Sequence, residues 1–488
     1  MIEEQIQYSK LQAISRQMGE TLQRISRSPL VSQDRAFAAA IFTNELELAV
    51  QHQFKPEHLF AVKESVAHLF DYFSFDISDG DVLLVADPYN GGTKGQSLTM
   101  AAPLFYQGEL VLFPVIRVQM IDLAGEFPGG FHPNAFEIWQ ESMRITPIKL
   151  YKQGLLQRDV LKFLLANSRV KSLYEAELNA MYACLRAAQT QLLSLMKHGK
   201  KQLDHAISVM SDYSHRRILE QIKQFPNQDM HSELTFNSNA EVINLHVTIK
   251  ALKDRLKINF EGTSKQVQTP VNAALSTTKA YAVWPVLAPI AEEVAINEGL
   301  LQAFDVVVPK GSVLAPKFPA AVGLSTVITG HYIAEVITKA LKNNDTADDL
   351  YLEIHGPGPQ AILFPPFGKE RETEPLFLAP GFPESLQGWG PSALFGDRKL
   401  VSAEELEFNY HFKMVKREQK DKQMIIQIIN QGASFDVITI IPEKAGRSYG
   451  EIKMDTKENN LVLHGSTVGN RLNHGDEIAF IYERGGHQ

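Results

Sequence analysis

The sequence predicts an α+β fold, mixed and built of several units, with a β-rich C-terminal part. Three observations carry this. Long stretches place apolar residues at helical spacing; short apolar runs bounded by polar or turn residues interleave with them; and beyond about residue 424 the apolar residues fall in short strand-like runs. A chain of 488 residues exceeds what one core usually supports. Composition shifts predict an N-terminal α/β unit over 1–226, a middle α/β unit over 227–345, and a Gly/Pro-rich loop with a β-rich unit over 346–488.

From residue 2 to about 27, Ile6, Leu11, Ile14, Met18, Leu22 and Ile25 recur every three to five residues, which predicts an amphipathic helix. Phe37–Phe42 and Val82–Ala86 read as buried strands, and further strands are expected at 102–106 and 110–118. Val82–Ala86 runs into Asp87-Pro88-Tyr89-Asn90-Gly91-Gly92-Thr93, where a proline without an amide donor and paired glycines predict a turn leaving a strand end. Helices are expected near 172–196 and 199–223, broken at His198-Gly199, and Pro226 with Asn227-Gln228-Asp229 marks a boundary. A period of two at Val242, Leu245, Val247 and Ile249, then Leu256, Ile258 and Phe260, predicts a hairpin. Helical segments follow near 275–293 and 328–342. The region 355–396, dense in Gly and Pro, reads as an ordered loop or an extension packed on a partner. Met424–Ile429, Val437–Ile441 and Leu461–Leu463 read as strands.

Hydrophobic residues make up 44% and charged residues 21%, values of a globular protein. Acidic and basic residues are interspersed at a net charge of -8, which argues against nucleic acid as the main partner. The single cysteine, Cys184, excludes an intramolecular disulfide and a cysteine-rich zinc site. No apolar run approaches the roughly 20 residues that span a bilayer, and the acidic N-terminus is unlike a signal peptide. A cytoplasmic protein that makes no use of a membrane is the expectation. Nucleotide-binding glycine loops, H-E-x-x-H and G-x-S-x-G are absent.

A longer string is more informative. Gly80-Asp81-Val82 through Thr93 resembles the signature of the hydantoinase B/5-oxoprolinase family, a Gly-Asp, a strand and then D-P-Y-x-G-G-T-H-x-x-D. Glu137–Tyr151 resembles the family's I-x-Q-E-G-x-R-I-x-P-x-K-L segment, with Ser142 in place of glycine. Phe260–Ser264, Pro270–Asn272, Asn297–Gly299, Pro309–Ser312 and Pro319–Val322 continue the match in order. The resemblance implies a hydantoinase B-like fold. It also implies work in an ATP-dependent complex, of the kind that opens cyclic amides such as 5-oxoproline and hydantoins or carboxylates ketones. The implied partner is a hydantoinase A-like ATP-binding subunit in a hetero-oligomer, so ATP and Mg would sit on that partner, and no cofactor is expected on this chain.

In the family pattern, a His and an Asp three apart after G-G-T, then a His in R-x-H-H-x-D-x-G-G, hold a metal. Here those positions are Lys94, Ser97 and Gln119. A protonated lysine has no lone pair, and neutral hydroxyl and amide oxygens are weak ligands for a transition metal, so no metal is expected. The resemblance makes Tyr89, Gly91, Gly92, Thr93, Glu141 and Arg144 candidates for a substrate-site loop, and Lys94, Asp87 and Asp122 the candidate catalytic residues. Three readings stand open. Lys94 balances Asp87 and Asp122 in a site that no longer turns over, and the chain is a scaffold; or its ammonium replaces part of the metal's charge and stabilises an oxyanion or acyl phosphate; or a metal is rebuilt from His58, Asp122 and His132. A stand-alone assembly or binding protein reusing the fold is the alternative of a different class. His58 reads as a structural residue at a helix start, its imidazole satisfying a local backbone group. The cationic run Lys413, Lys416, Arg417, Lys420 and Lys422 reads as a solvated strand edge or loop, and Gly485-Gly486 resembles the family's glycine-rich end.

Overall fold

The computed structural model describes residues 2–197, 199–239, 241–288, 294–342, 359–364, 376–378, 402–420, 423–444, 447–448, 450–457 and 459–483. Eight strands form the N-terminal sheet: β1 (Phe37–Thr43), β2 (Leu48–Gln53), β3 (Val82–Ala86), β4 (Ser97–Ala101), β5 (Leu104–Tyr106), β6 (Glu109–Gln119), β7 (Ile145–Lys152) and β8 (Leu155–Leu156). They are antiparallel, in the order β2-β1-β6-β4-β3-β7-β8, with β5 also paired to β6.

Side chains of a strand alternate between faces, and both faces of this sheet are covered. Phe37, Ala39 and Ile41 of β1 join a core with the helices Ile2–Ile25 and Lys171–Lys197. Ala38, Ala40 and Phe42 join a second core with the helices Ala61–Phe73, Leu275–Leu287 and Gly330–Lys342. This double burial explains why β1 and β3 read as continuous apolar runs rather than alternating ones. Each Ile or Phe fully buried there contributes about 1.5–3 kcal/mol.

The second sheet contains β9 (Met230–Ser238), β10 (Glu241–Ala251), β11 (Leu256–Asn259) and β12 (Phe304–Val307), antiparallel except for the parallel β11–β12 pair. The C-terminal part is strand-rich: Phe412–Lys420, Gln423–Asn430, Glu477–Glu483, Gly450–Asp455 and Asn460–Leu463 make a five-stranded sheet. Phe412–Lys420, which carries most of the cationic run, is its edge strand, as the charge pattern predicts. Lys422 and Gly485-Gly486 lie outside the described residues.

Several expectations are corrected. The strand expected at 102–106 begins at Leu104, beyond Pro103, which has no amide to donate. Ser97–Ala101 is a strand of its own, and so is Met230–Ser238 beyond the polar boundary. The helix expected from 328 starts at Gly330, after a π-helical turn over Ser325–Thr329. Within the expected loop at 355–396, Gln360–Phe364 and Leu376–Leu378 are paired strands; most of that region lies outside the described residues, as does His198 of the helix break. No helix among the described residues is long and apolar enough to cross a membrane.

Candidate functional site

β4 and β6 are neighbours, and their register sets Ser97 opposite Gln119 and Thr99 opposite Arg117. Leu98, Met100, Ile116 and Val118 take the other face, toward the N-terminal helix. By alternation Ser97, Thr99, Arg117 and Gln119 therefore face the helices Ala61–Phe73 and Leu275–Leu287. Lys94 sits three residues before Ser97, and its carbonyl accepts the Ser97 amide at 3.2 Å. The three positions of the family's ligands thus come together, and all three residues are buried.

Lys94 Nζ donates to Thr326 Oγ1 at 2.8 Å, lies 3.7 Å from Glu57 Oε2, and stands 5.8 Å from the centre of the Phe131 ring. Thr326 belongs to the π-turn, a distortion common at functional sites. Burial pulls the Lys94 ammonium down to about 8, against the attraction of Glu57. Burial pushes the Glu57 carboxyl up, but the Lys94 ammonium first, then Lys55 and Arg117, outweigh it and hold it well below the usual carboxylate range. Arg117 donates to Ser65 Oγ at 3.1 Å, Thr99 Oγ1 at 3.0 Å and Thr93 Oγ1 at 3.2 Å.

The geometry replaces the expected partners of Lys94. Its carboxylate is Glu57, not Asp87 or Asp122. Asp87 accepts from Tyr89 N at 3.0 Å, Asn90 Nδ2 at 2.6 Å and Arg144 Nε at 2.8 Å. Asp122 is taken by Arg169, from its amide and from Nη1, both at 2.8 Å. Burial raises the Asp122 carboxyl, opposed by Arg169.

The Asp87–Thr93 loop is locked onto its surroundings. Gly91 has φ +92°, and a Cβ there would lie 2.3 Å from Ser65 N; at Gly92 it would lie 2.5 Å from Asp87 O. The Thr93 carbonyl accepts from Thr277 Oγ1 and Ser325 Oγ, both at 3.3 Å. The Tyr89 hydroxyl donates to Ala320 O, and the Tyr89 ring packs edge-on against Phe318, over which the Arg144 guanidinium also lies. Glu141 accepts from Val322 N at 2.9 Å and Gly323 N at 2.6 Å, while burial pushes its carboxyl up to about 8.

One residue enters that the sequence did not single out, Glu57, and His58 joins it at the centre. Pro56–His58 form a 3₁₀ turn ahead of the helix Ala61–Phe73 and deliver Glu57 and His58 to the centre. Their only signal is an acidic residue and a histidine following a proline, between the polar run Gln51-His52-Gln53 and the apolar run Leu59–Val62. The expectation that His58 satisfies a backbone group is overturned, since both of its ring nitrogens are buried without a hydrogen-bond partner. Burial lowers its pKa to about 3, so its imidazole is neutral and its 3.9 Å contact with Glu57 Oε1 is no ion pair.

A transition metal does not fit the residues at 94, 97 and 119, because the ammonium, hydroxyl and amide there are poor donors and the ammonium fills the space. Among the described residues no group of three His, Cys, Asp or Glu could hold one. The rebuilt set is not assembled either: Asp122 is spent on Arg169, and His132 pairs with Glu126 at 2.9 Å.

An antiparallel sheet bearing an Asp-Pro-Tyr loop, clamped beneath the middle part of the chain, defines the class of protein. The chain belongs to the hydantoinase B/oxoprolinase family, whose model matches residues 1–351. An uncharacterized protein of Methanocaldococcus jannaschii is 29% identical over 332 residues, covering 67% of this chain and 59% of that protein, so the match spans less than two thirds of that relative. Caprolactamase subunit beta of Pseudomonas jessenii is 26% identical over 415 residues, covering 82% of this chain and 71% of that subunit. The crystal structure of the ATP-dependent caprolactamase from Pseudomonas jessenii superposes at a TM-score of 0.87 and 19% identity, over 99% of this chain and 90% of that one, a likeness of fold.

Proposed function

We propose that this chain is a cytoplasmic B-type subunit of an ATP-dependent complex that opens cyclic amides or carboxylates ketones, and that it serves there as a non-catalytic scaffold. One observation carries the reading: Lys94 occupies the centre and spends its ammonium on Thr326 and Glu57, while Ser97 and Gln119 supply no imidazole or carboxylate. A Lewis acid at this point would polarise an amide or ketone oxygen, and the residues there do not fit one. The similarity to a protein named as a caprolactamase subunit supports work beside a second, ATP-binding chain of the hydantoinase A type.

A second reading is favoured by the Lys94 ammonium itself. Burial brings it to about 8, within reach of proton donation or oxyanion stabilisation near neutral pH. One experiment separates the two. The tagged full chain is isolated from its native cell, and the recovered complex is assayed for ATP-dependent opening of caprolactam, hydantoin and 5-oxoproline. The scaffold reading expects a co-purifying ATP-binding chain, no ATPase activity of the isolated chain, and any turnover unchanged by Lys94→Met. Turnover abolished by that substitution while the complex stays assembled would replace it with the second reading. Recovery of the chain alone would sink both.

A further inference from the structure

Four polar groups at the centre are unexplained by the fold. Glu57 Oε1, His58 Nδ1, His58 Nε2 and Arg117 Nε are buried with no hydrogen-bond partner. An unpaired buried polar group forfeits its hydrogen bonds to water, and native proteins keep few of them. Glu57 and His58 are 2% and 0% exposed, adjacent in one 3₁₀ turn, and the Glu57 carboxylate lies beside Lys94 Nζ. A carboxylate and an imidazole with open lone pairs are donors that a divalent transition metal takes. Neither residue stands at the family's ligand positions, so this donor pair is separate from the replaced set.

We propose that Glu57 and His58 form a latent divalent-cation site that Lys94 closes from within. The ammonium is the resident cation: it neutralises Glu57, fills the space an ion would use, and is tethered by Thr326 on the π-turn. The centre thereby keeps a positive charge without taking one from solution. Removing the lysine side chain beyond Cβ frees the space beside the carboxylate and imidazole, with water to complete a coordination shell. Arg117 remains as a second cation held by Ser65, Thr93 and Thr99, and its repulsion limits the affinity to a modest one. The inference does not depend on the partner reading, and its test uses the isolated full chain.

The wild-type chain, Lys94→Ala and Lys94→Ser are stripped with chelator and titrated with Zn2+, followed by calorimetry, elemental analysis and thermal unfolding. The wild type is the baseline for zinc held by exposed histidines. Over that baseline the Lys94 variants are expected to take up about one more Zn2+ per chain. Their Tm rises with zinc by several degrees and falls again with chelator. Adding Glu57→Gln or His58→Ala weakens that uptake about tenfold or more, as loss of a ligand does. A Lys94→Ala chain that folds only with Zn2+ also supports the proposal. It is overturned if either Lys94 variant folds and gains no zinc, if the gain survives loss of both Glu57 and His58, or if the wild type binds zinc in a manner that Glu57→Gln abolishes.

Discussion

The Asp87–Thr93 loop and the centre beneath it are neighbours in the chain, yet they differ in how completely their polar groups are satisfied. In the loop, Asp87 accepts three hydrogen bonds, the Thr93 carbonyl accepts two, and the close packing at Gly91 and Gly92 leaves no room for a side chain. In the centre, one carboxylate oxygen and both nitrogens of an imidazole go unpartnered beside a buried ammonium. The loop is a finished structural element. The centre is held by a charge pair between Lys94 and Glu57. The difference separates an element whose own contacts satisfy it from one that a single substitution can unbalance.

The largest expected effect tests whether that charge pair is structural. Glu57→Ala leaves the 4% exposed Lys94 side chain without its carboxylate, which is expected to cost about 3–5 kcal/mol, as loss of one member of a buried pair does. Replacing both members, Glu57→Leu with Lys94→Met, removes the charges together and is expected to recover most of the loss. Urea unfolding of the three chains measures it. A Glu57→Ala cost below about 1 kcal/mol, the range of an exposed pair, would show that water reaches the centre and would end the contrast with the loop.

Next in size is the loop. Gly91→Ala meets Ser65 N and the Glu64 carbonyl carbon of the helix Ala61–Phe73 while holding φ at +92°. The conformational strain alone is about 1–3 kcal/mol, and the helix end must also shift. Gly108 has φ +85° with nothing near its missing Cβ, so Gly108→Ala carries the strain without the clash and is the control. Equal Tm losses for the two variants would mean that the loop is not clamped as described.

What the sequence disclosed follows this division. The buried strands β1 and β3, the long helices and the C-terminal strands were legible because their apolar periods are strong, and the loop because its proline and paired glycines dictate local geometry. β4 was missed, since Ser97-Leu98-Thr99-Met100-Ala101 alternates polar and apolar in a strand buried on both faces, its hydroxyls consumed by Arg117 and Thr93. β9 was missed because its polar residues, His231, Glu233 and Thr235, suit a sheet with one wetter face and carry no turn signal. Gathering Lys94, Ser97 and Gln119 into one site rested on family resemblance; the strand register sets Ser97 opposite Gln119, with Lys94 three residues before. Pairing Lys94 with Asp87 and Asp122 rested on the same resemblance, and failed: the aspartates are taken by Arg144, just ahead of β7, and by Arg169 in the 167–170 turn, contacts made across 57 and 47 residues. Glu57 was invisible for the same reason, since only the tertiary fold sets it against Lys94.

The smallest effect at any single condition, and the most diagnostic of the centre, is a change in the sign of the pH dependence of stability. Glu141 is an acid whose pKa rises on folding, from 4.5 to about 8, so its contribution is complete below 4.5 and is lost as pH rises to 8. Lys94 is a base whose pKa falls on folding, from 10.5 to about 8, so its contribution is complete above 10.5 and is lost as pH falls to 8. Below 6.5 the buried His52, His58 and His331, whose pKa values burial lowers, make stability rise with pH and mask Glu141. Above 10 the buried tyrosines, whose hydroxyls burial raises, oppose Lys94. From pH 9 the buried Cys184 thiol, which burial pushes up from 9.0 to about 12, opposes Lys94 as well. Between 6.5 and 9 Glu141 and Lys94 dominate, and stability is expected to fall from pH 6.5 to 8 and to rise from 8 to 9. Each limb has a slope of at most about 1.4 kcal/mol per pH unit, the value for one proton. Thermal unfolding across this range in constant ionic strength reads it out. Lys94→Met is expected to flatten the rising limb alone and Glu141→Gln the falling limb alone, even though the amide, set against two backbone N–H donors, lowers Tm throughout. A wild-type profile without a minimum near pH 8, or a rising limb that survives Lys94→Met, would mean that Glu57 and Thr326 offset the burial of the Lys94 ammonium, and the assignment of the rising limb to the centre would fall.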